Sequence, residues 1–268
     1  MSSGGGSDPT WVVKYGGNAM TDPAARRAVA ASLGTLRDGG LRLIVVHGGG
    51  PFIARGLDAA GVESRFVRGL RVTDAAAIGV VERELTLLGK HLAQEIGDAI
   101  GLTGRDGGLL TAEVADPALG RVGRVTGVRA EMLTLLADAG LTPVLACLAV
   151  DAEGDPLNVN ADEVAGAVAA ACRARVAFLT DVPGVLDDPS DPDSRLPELT
   201  EADARARIED GRIAGGMIPK VESALAALAR GAPSATILDG RGEGAVADAV
   251  AGRSGTRLVR ADAAEPAA

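Results

Sequence analysis

The chain has 268 residues, 47% hydrophobic and 24% charged, with a net charge of −9. That is material for one large domain or two lobes with a substantial core. A negative balance and only five aromatic side chains exclude an ordinary nucleic-acid binder, which needs cationic surface and stacking platforms. Two cysteines (Cys147 and Cys172) and two histidines (His47 and His91) are too few for a disulfide framework or a cysteine zinc site. The cysteines sit in apolar segments and are expected in the core, and His47 is expected to be a packed turn residue. No apolar run approaches the roughly 18 residues of a membrane span, and no basic-then-apolar leader opens the chain. The expectation is a cytoplasmic protein with no membrane partner.

In chain order, MSSGGGSDPT reads as a disordered tail at 1–10. Trp11–Tyr15 reads as a buried strand, Pro23–Arg37 as a helix, Leu41–Val46 as a strand and Phe52–Ala60 as a helix. Asp74–Ile96 is mainly helical, and Ala99–Leu102 and Leu109–Val114 read as short strands. Ala130–Ala139 is a helix and Pro143–Val150 a strand. The second half repeats the alternation. Helices are expected at Ala161–Cys172, Glu201–Glu209, Pro219–Arg230 and Ala245–Ala251. Strands are expected at Val176–Leu179, Ala235–Leu238 and Thr256–Val259. Asp181–Leu186 reads as a loop and Pro189–Arg195 as an acidic turn. Alternating strands and helices predict an α/β protein with a mainly parallel sheet. Ligands then sit at the carboxyl ends of the strands, with a lobe boundary near residue 175.

Of 27 cationic side chains only three are lysines: Lys14, Lys90 and Lys220. Where arginine has displaced lysine almost everywhere, a surviving lysine is a candidate for work that a planar guanidinium cannot do. Lys14 precedes Gly16-Gly17, and a second strand runs into His47-Gly48-Gly49-Gly50-Pro51. Glycines there bring backbone N–H groups up to an anion, and a helix N-terminus after Pro51 adds a favourable dipole. One such loop alone is no more than a tight turn; two, one of them with a lysine, point to phosphate binding. Lys220 follows Gly215-Gly216 near the positive end of a helix, which asks for a compensating anion. Lys90, late in its helix, is expected to be structural. Arg71 either clamps a carboxylate or stands beside a helix cap at Thr73 or Asp74. Asn158, Asn160 and Asp162 either open and cap a helix or supply a substrate amide and an organiser of lysines. The familiar phosphate-loop pattern is absent, because His91 follows Gly89-Lys90. Gly240-Arg241-Gly242-Glu243-Gly244-Ala245 fits a dinucleotide pattern, but its helix is too short for that role.

An ordered set of motifs carries a resemblance over residues 11–260. It comprises Val13-Lys14-Tyr15-Gly16-Gly17-Asn18-Ala19-Met20, Val46-His47-Gly48-Gly49-Gly50-Pro51, Gly69-Leu70-Arg71-Val72-Thr73-Asp74, Gly101-Leu102-Thr103-Gly104-Arg105-Asp106-Gly107, Asn158-Val159-Asn160-Ala161-Asp162, Leu179-Thr180-Asp181-Val182-Pro183-Gly184-Val185-Leu186-Asp187 and Gly215-Gly216-Met217-Ile218-Pro219-Lys220-Val221. Together these resemble the amino-acid kinase family, and within it the acetylglutamate kinases. The resemblance implies an α/β fold, an open αβα sandwich with a mainly parallel central sheet and two lobes. Residues 11–174 would form an N-terminal lobe for acetylglutamate and dimerisation, and 175–268 a C-terminal lobe for ATP. The implied reaction moves the γ-phosphoryl group of ATP to the side-chain carboxylate of N-acetyl-L-glutamate, an early step of arginine biosynthesis, with Mg²⁺ bridging the phosphates and no protein metal ligand assigned. Lys14 and Lys220 would stabilise the transition state and Asp162 would hold them. Gly49, Gly50, Arg71 and Asn158 would bind the amino-acid substrate. Gly16, Gly17, Asp181, Val182, Pro183, Gly184, Val185 and Leu186, with Arg212, Ile213 and Ala214, would serve the nucleotide. Two departures stand out: Gly89 where the family usually carries Asn, and a shorter segment from Lys90 to Gly101. The alternatives are a kinase for carrier-linked glutamate or aminoadipate, which the negative charge disfavours, and a non-catalytic ligand-binding relative. The glycine-rich start, with no apolar stripe, leads to the expectation of a homodimer without arginine feedback.

Overall fold

A computed structural model describes residues 10–260, apart from 189, 192, 242 and 243. The expected tail at 1–9, and Pro189, Gly242 and Glu243 of the motifs above, therefore lie outside the described residues. Trp11–Tyr15 (β1), Pro23–Asp38 (α1), Leu43–His47 (β2) and Gly50–Ala59 (α2) open the fold. A short hairpin, Phe66–Val67 (β3) with Leu70–Arg71 (β4), leads to Ala75–Ile96 (α3) and Ala99–Leu102 (β5). Leu110–Val114 (β6), Val122–Val128 (β7), Ala130–Asp138 (α4), Thr142–Ala146 (β8), Leu148–Val150 (β9) and Pro156–Val159 (β10) follow. Ala161–Ala171 (α5), Arg175–Thr180 (β11), Glu198–Thr200 (β12), Glu201–Glu209 (α6) and Met217–Ala229 (α7) come next. Ala235–Asp239 (β13), Ala245–Val250 (α8) and Thr256–Val259 (β14) complete the described chain.

Eight strands form one sheet in the order β12-β14-β13-β11-β1-β2-β8-β5, parallel except where β14 runs against β13. Alternate side chains of each strand face opposite sides, and two cores result. Val12, Ile44, Val46, Val176 and Phe178 pack on one side with Val164 and Val168 of α5 and Val221 and Leu225 of α7. Trp11, Val13, Tyr15, Leu43, Val45 and Leu179 pack on the other, with Leu33 of α1, Leu92 of α3 and Val246 of α8. This is the open αβα sandwich expected from the sequence. Its helices start where polar caps dictate. Asp22 accepts from Ala24 N–H ahead of α1, Asp74 from Ala76 and Ala77 ahead of α3, and Asn160 from Asp162 and Glu163 ahead of α5.

The expected strand at Pro143–Val150 is two strands. The chain leaves the large sheet after Ala146, where Cys147 N–H bonds His47 O and Cys147 O accepts from Val159 N–H. Beyond it, β9 joins a small closed sheet in the order β10-β7-β6-β9. Strands β7, β10 and β12 and the β3–β4 hairpin were not expected. In β7 the apolar alternation is interrupted by Gly123, where a Cβ would come within 2.9 Å of Leu157 Cβ; the small sheet closes only because no side chain stands there.

Candidate active site

The carboxyl ends of β1, β2, β10 and β11 converge with the N-termini of α5 and α7. Lys14 lies two residues after Val12 and so faces the α5 side of the sheet. Its Nζ pairs with Asp162 Oδ1 at 2.8 Å, both side chains half-buried. Asp162 stands in the first turn of α5, where the dipole favours an anion, so cap, dipole and ammonium agree. The glycine that follows Lys14 has a use here: a Cβ at Gly16 would lie 3.4 Å from Lys14 Cε and Nζ, crowding the ammonium.

Lys220 occupies the first turn of α7 and pairs with Asp181 Oδ1 at 3.3 Å. The Asp181 carboxyl is held below its usual value by its own backbone N–H and then by Lys220. The compensating anion that Lys220 asked for is thus Asp181, whereas the ion pair of Asp162 among the described residues is with Lys14. Lys220 stands across the cleft, beside Asp181 just after the end of β11. A cleft of about 230 Å³ between the walls is lined by Lys14, Gly16, Asp162, Asp181, Lys220 and Ser223.

Beside it a second hollow of about 450 Å³ is walled by Gly49, Gly50, Arg71 and Asn158. Gly48 N–H bonds Tyr15 O at 3.1 Å and ties the two glycine loops together. Arg71 is buried and lies over the Phe66 ring at 4.5 Å. Its guanidinium donates to Ser64 Oγ and, at 3.1 Å, to Gly50 O. Burial draws its pKa down, yet an arginine stays charged and has five donors to distribute. Asn158 donates to Thr73 Oγ1 at 3.1 Å, and Thr73 Oγ1 donates to Arg71 O at 2.9 Å. Asp74 is therefore the helix cap, while Thr73 links the two substrate-site candidates.

The nucleotide set is only partly assembled. Gly17 and Asp181 line the first cleft. Val185 and Ile213 are buried core residues, so they could meet a nucleotide only through their backbone. Gly184 packs against Thr256, and a Cβ there would meet Thr256 Oγ1 at 2.5 Å. Leu186 bridges Arg195, and Val182 packs partly against the core. Pro183 and Ala214 are exposed. Arg212 is turned to Asp210 at 2.6 Å and Asp187 at 3.9 Å.

Sequence reasoning missed two residues. Ser223 lies one helical turn after Lys220 and donates to Pro219 O at 2.8 Å, with Asp162 Oδ2 3.5 Å away; the three-residue spacing was the available signal. Arg241 donates to Asp181 O at 2.9 Å while holding Asp239 at 2.8 Å. It stood in the rejected dinucleotide pattern. Lys90, expected to be structural, donates to Gly101 O at 2.6 Å. Cys147 is buried and Cys172 partly so, and burial pushes their thiols up to about 12 and about 11. Among the described residues no helix is long and apolar enough to cross a membrane.

Residues 9–239 match the model of the amino acid kinase family. The chain belongs to that family. The acetylglutamate kinase of Deinococcus radiodurans is 58% identical over 248 residues, covering 92% of this chain and 99% of that one. The acetylglutamate kinase of Thermus thermophilus is 47% identical over 249 residues, covering 91% and 96%. Among solved structures, N-acetylglutamate synthase from Neisseria gonorrhoeae superposes with a TM-score of 0.79 at 24% identity, over 94% of this chain and 59% of that one. That last likeness is one of fold. The family's open sandwich is the architecture described above, with the cleft at the carboxyl edge of its sheet.

Proposed function

We infer that this chain transfers the γ-phosphoryl group of ATP to the side-chain carboxylate of N-acetyl-L-glutamate, forming the acyl phosphate used in arginine biosynthesis. Near-complete coverage of relatives named acetylglutamate kinase supports the reading. The observation that carries it is one cleft with a lysine on each wall, opening beside a hollow that holds a buried arginine. A carboxylate is already ionised at pH 7 and needs no general base. Its oxygen forms the new bond to the γ-phosphorus, the bond to the β-bridging oxygen breaks, and ADP leaves. The difficulty is that two anions must meet, so catalysis is positioning and charge stabilisation. Lys14 and Lys220 supply charge from opposite sides, and Asp162 fixes Lys14. Gly16, Gly49 and Gly50 offer backbone N–H groups. Arg71 forks onto the α-carboxylate and Asn158 holds the neighbouring amide. Asp181, with Gly17 and the segments 182–186 and 212–214, frames the nucleotide.

Mg²⁺ enters with ATP in this reading. Among the described residues no group of three or more His, Cys, Asp or Glu side chains is placed to hold a metal. Mg²⁺ would be carried chiefly by the phosphates, as it usually is in kinases. Residues 11–174 would act as the amino-acid lobe and the rest as the nucleotide lobe, two copies forming a dimer. The outer edge of β5, with Ile100 and Leu87 exposed near it, supports a covering partner there. The test of the reaction is turnover with MgATP and a panel of acetylglutamate, glutamate, aspartate and aminoadipate, trapping the acyl phosphate with hydroxylamine. Acetylglutamate should dominate; turnover confined to another member would overturn the assignment.

A further inference from the structure

We propose that His47 is a positioning residue for phosphoryl transfer, its ring holding the Gly48–Gly49 peptide so that the Gly49 N–H faces the reacting groups. The proposal rests on the kinase reading above and adds a residue to it.

His47 is the last residue of β2 and is fully buried. By strand alternation it faces the α3 side of the sheet, with Val45 and Leu43. There its Nε2 points at α3: a Cβ on Gly89 would stand 2.8 Å from it. Gly89, the departure noted in the sequence, is what leaves room for the ring. The other nitrogen, Nδ1, lies 3.1 Å from Gly48 O. A carbonyl only accepts, so Nδ1 carries the proton and Nε2 the lone pair. Nε2 has no hydrogen-bond partner among the described residues. A buried polar atom left unmatched is costly, and it is tolerated here in a ring whose other nitrogen serves the loop.

The consequence is geometric. In a trans peptide the C=O and N–H of one plane point in opposite directions. Gly48 O is drawn toward the buried ring on the α3 side, so the Gly49 N–H is turned away from it. On the side away from the ring Gly48 faces α5, where a Cβ would be 3.3 Å from Ala161 Cβ, and Gly48 to Gly50 wall a hollow together with Asn158 to Ala161. Gly48 N–H is meanwhile fixed on Tyr15 O. Two glycines that are free to rotate are thus held in one orientation by a strand carbonyl and an imidazole. Burial also pulls the ring's pKa down to about 4, so the donor at Nδ1 keeps the same neutral form across the physiological range.

The test compares His47→Leu with His47→Asn, whose amide offers a donor near the place of Nδ1. The expected result for Leu is a kcat about 10- to 100-fold lower, part of the 10²–10³ that loss of an oxyanion donor costs. KM for ATP and for acetylglutamate should move less than about threefold. Asn should recover most of the loss although it leaves the larger cavity. Equal loss in both variants, or loss tracking a fall in thermal stability, would overturn the proposal and leave His47 a packing residue. A second readout does not depend on turnover. ¹⁵N-histidine spectra of the unmodified protein, with His91→Gln for assignment, should show His47 as the Nδ1–H tautomer. The Nε2–H tautomer would overturn the proposal even with activity intact. Absence of any turnover in the parent, with the Nδ1–H tautomer present, would instead sink the kinase reading and leave the loop geometry standing.

Discussion

The two walls of the cleft present the same cation in different settings. Lys14 is carried by a central strand flanked on both sides by hydrogen-bonded neighbours, β11 and β2. Its partner Asp162 is fixed by a helix cap and is half-buried. Lys220 is carried by a helix that follows Gly215-Gly216, and its partner Asp181 is 72% exposed. A pair held at 2.8 Å in a partly desolvated site is preorganised, whereas an exposed pair is worth little and yields easily to a competing anion. On the proposed reading, one wall would keep its pair and the other would exchange its partner for a phosphate.

Replacing the lysines is the strongest way to break this contrast. Lys14→Arg and Lys220→Arg keep the charge but lose the compact ammonium, and loss of preorganised contacts of this kind costs roughly 10²–10³ in kcat. Lys14→Arg is expected at the severe end, because a planar guanidinium cannot keep both the 2.8 Å pair with Asp162 and the compact ammonium's place in the cleft. Lys220→Arg is expected nearer the mild end. Steady-state kcat for both variants checks the order; near-normal turnover in either removes that lysine from the mechanism. Arg71→Lys comes next. Its bidentate reach is lost, so KM for acetylglutamate should rise about tenfold, a little over 1 kcal/mol, with KM for ATP unchanged. An equal change for ATP would place Arg71 on the nucleotide side.

The same contrast explains what could be read from the sequence. Most strands of the large sheet are dominated by apolar residues and most helices are marked by caps, glycines or prolines, so β1, β2, β5, β13 and β14 and the helices fell within a few residues of their observed limits. The rigid wall was legible too, since Lys14, Gly16 and Asp162 sit at the ends of such elements. The small closed sheet was not, because glycines and a leading proline break the period in β7 and β10. Ser223 acts by one hydroxyl whose place depends on how α7 packs on α5. Arg241 was hidden among the other arginines, and only the folded position of β13 brings it to Asp181. Val185 and Ile213 have buried side chains, which the motif did not reveal, because a motif shows which segment is near a ligand, not which way a side chain points.

The exposed pair offers a smaller test. Asp181→Asn removes the anion beside Lys220, and KM for ATP is expected to change by only a few-fold. The sign of the pH dependence follows from a depressed carboxylate. Its contribution to stability is present above the unfolded value of about 3.9 and is lost as pH falls through the lower folded value. Parent and variant should therefore differ by a constant amount between pH 5 and 8, at most about 1 kcal/mol for so exposed a pair. They should converge below about pH 4. Urea melts across that range check this. A difference that instead grew or vanished near pH 7 would mean another group controls Lys220.

The third lysine separates charge from hydrogen bonding. Lys90 is exposed, and its ammonium donates to Gly101 O at 2.6 Å, which ties α3 to the edge strand β5. It is far along the chain from either wall and lines neither the cleft nor the hollow. Lys90→Met should therefore leave kcat and both KM values unchanged while removing one hydrogen bond, worth about 0.5–1.5 kcal/mol. For a protein of this size that is a fall of roughly 1–6 °C in Tm. Lys90→Arg should recover part of it, since a guanidinium still donates to a carbonyl. If Lys90→Met lowered kcat at unchanged Tm, the edge strand would be coupled to the cleft, and the division into a fixed wall and an exchangeable one would have to include α3.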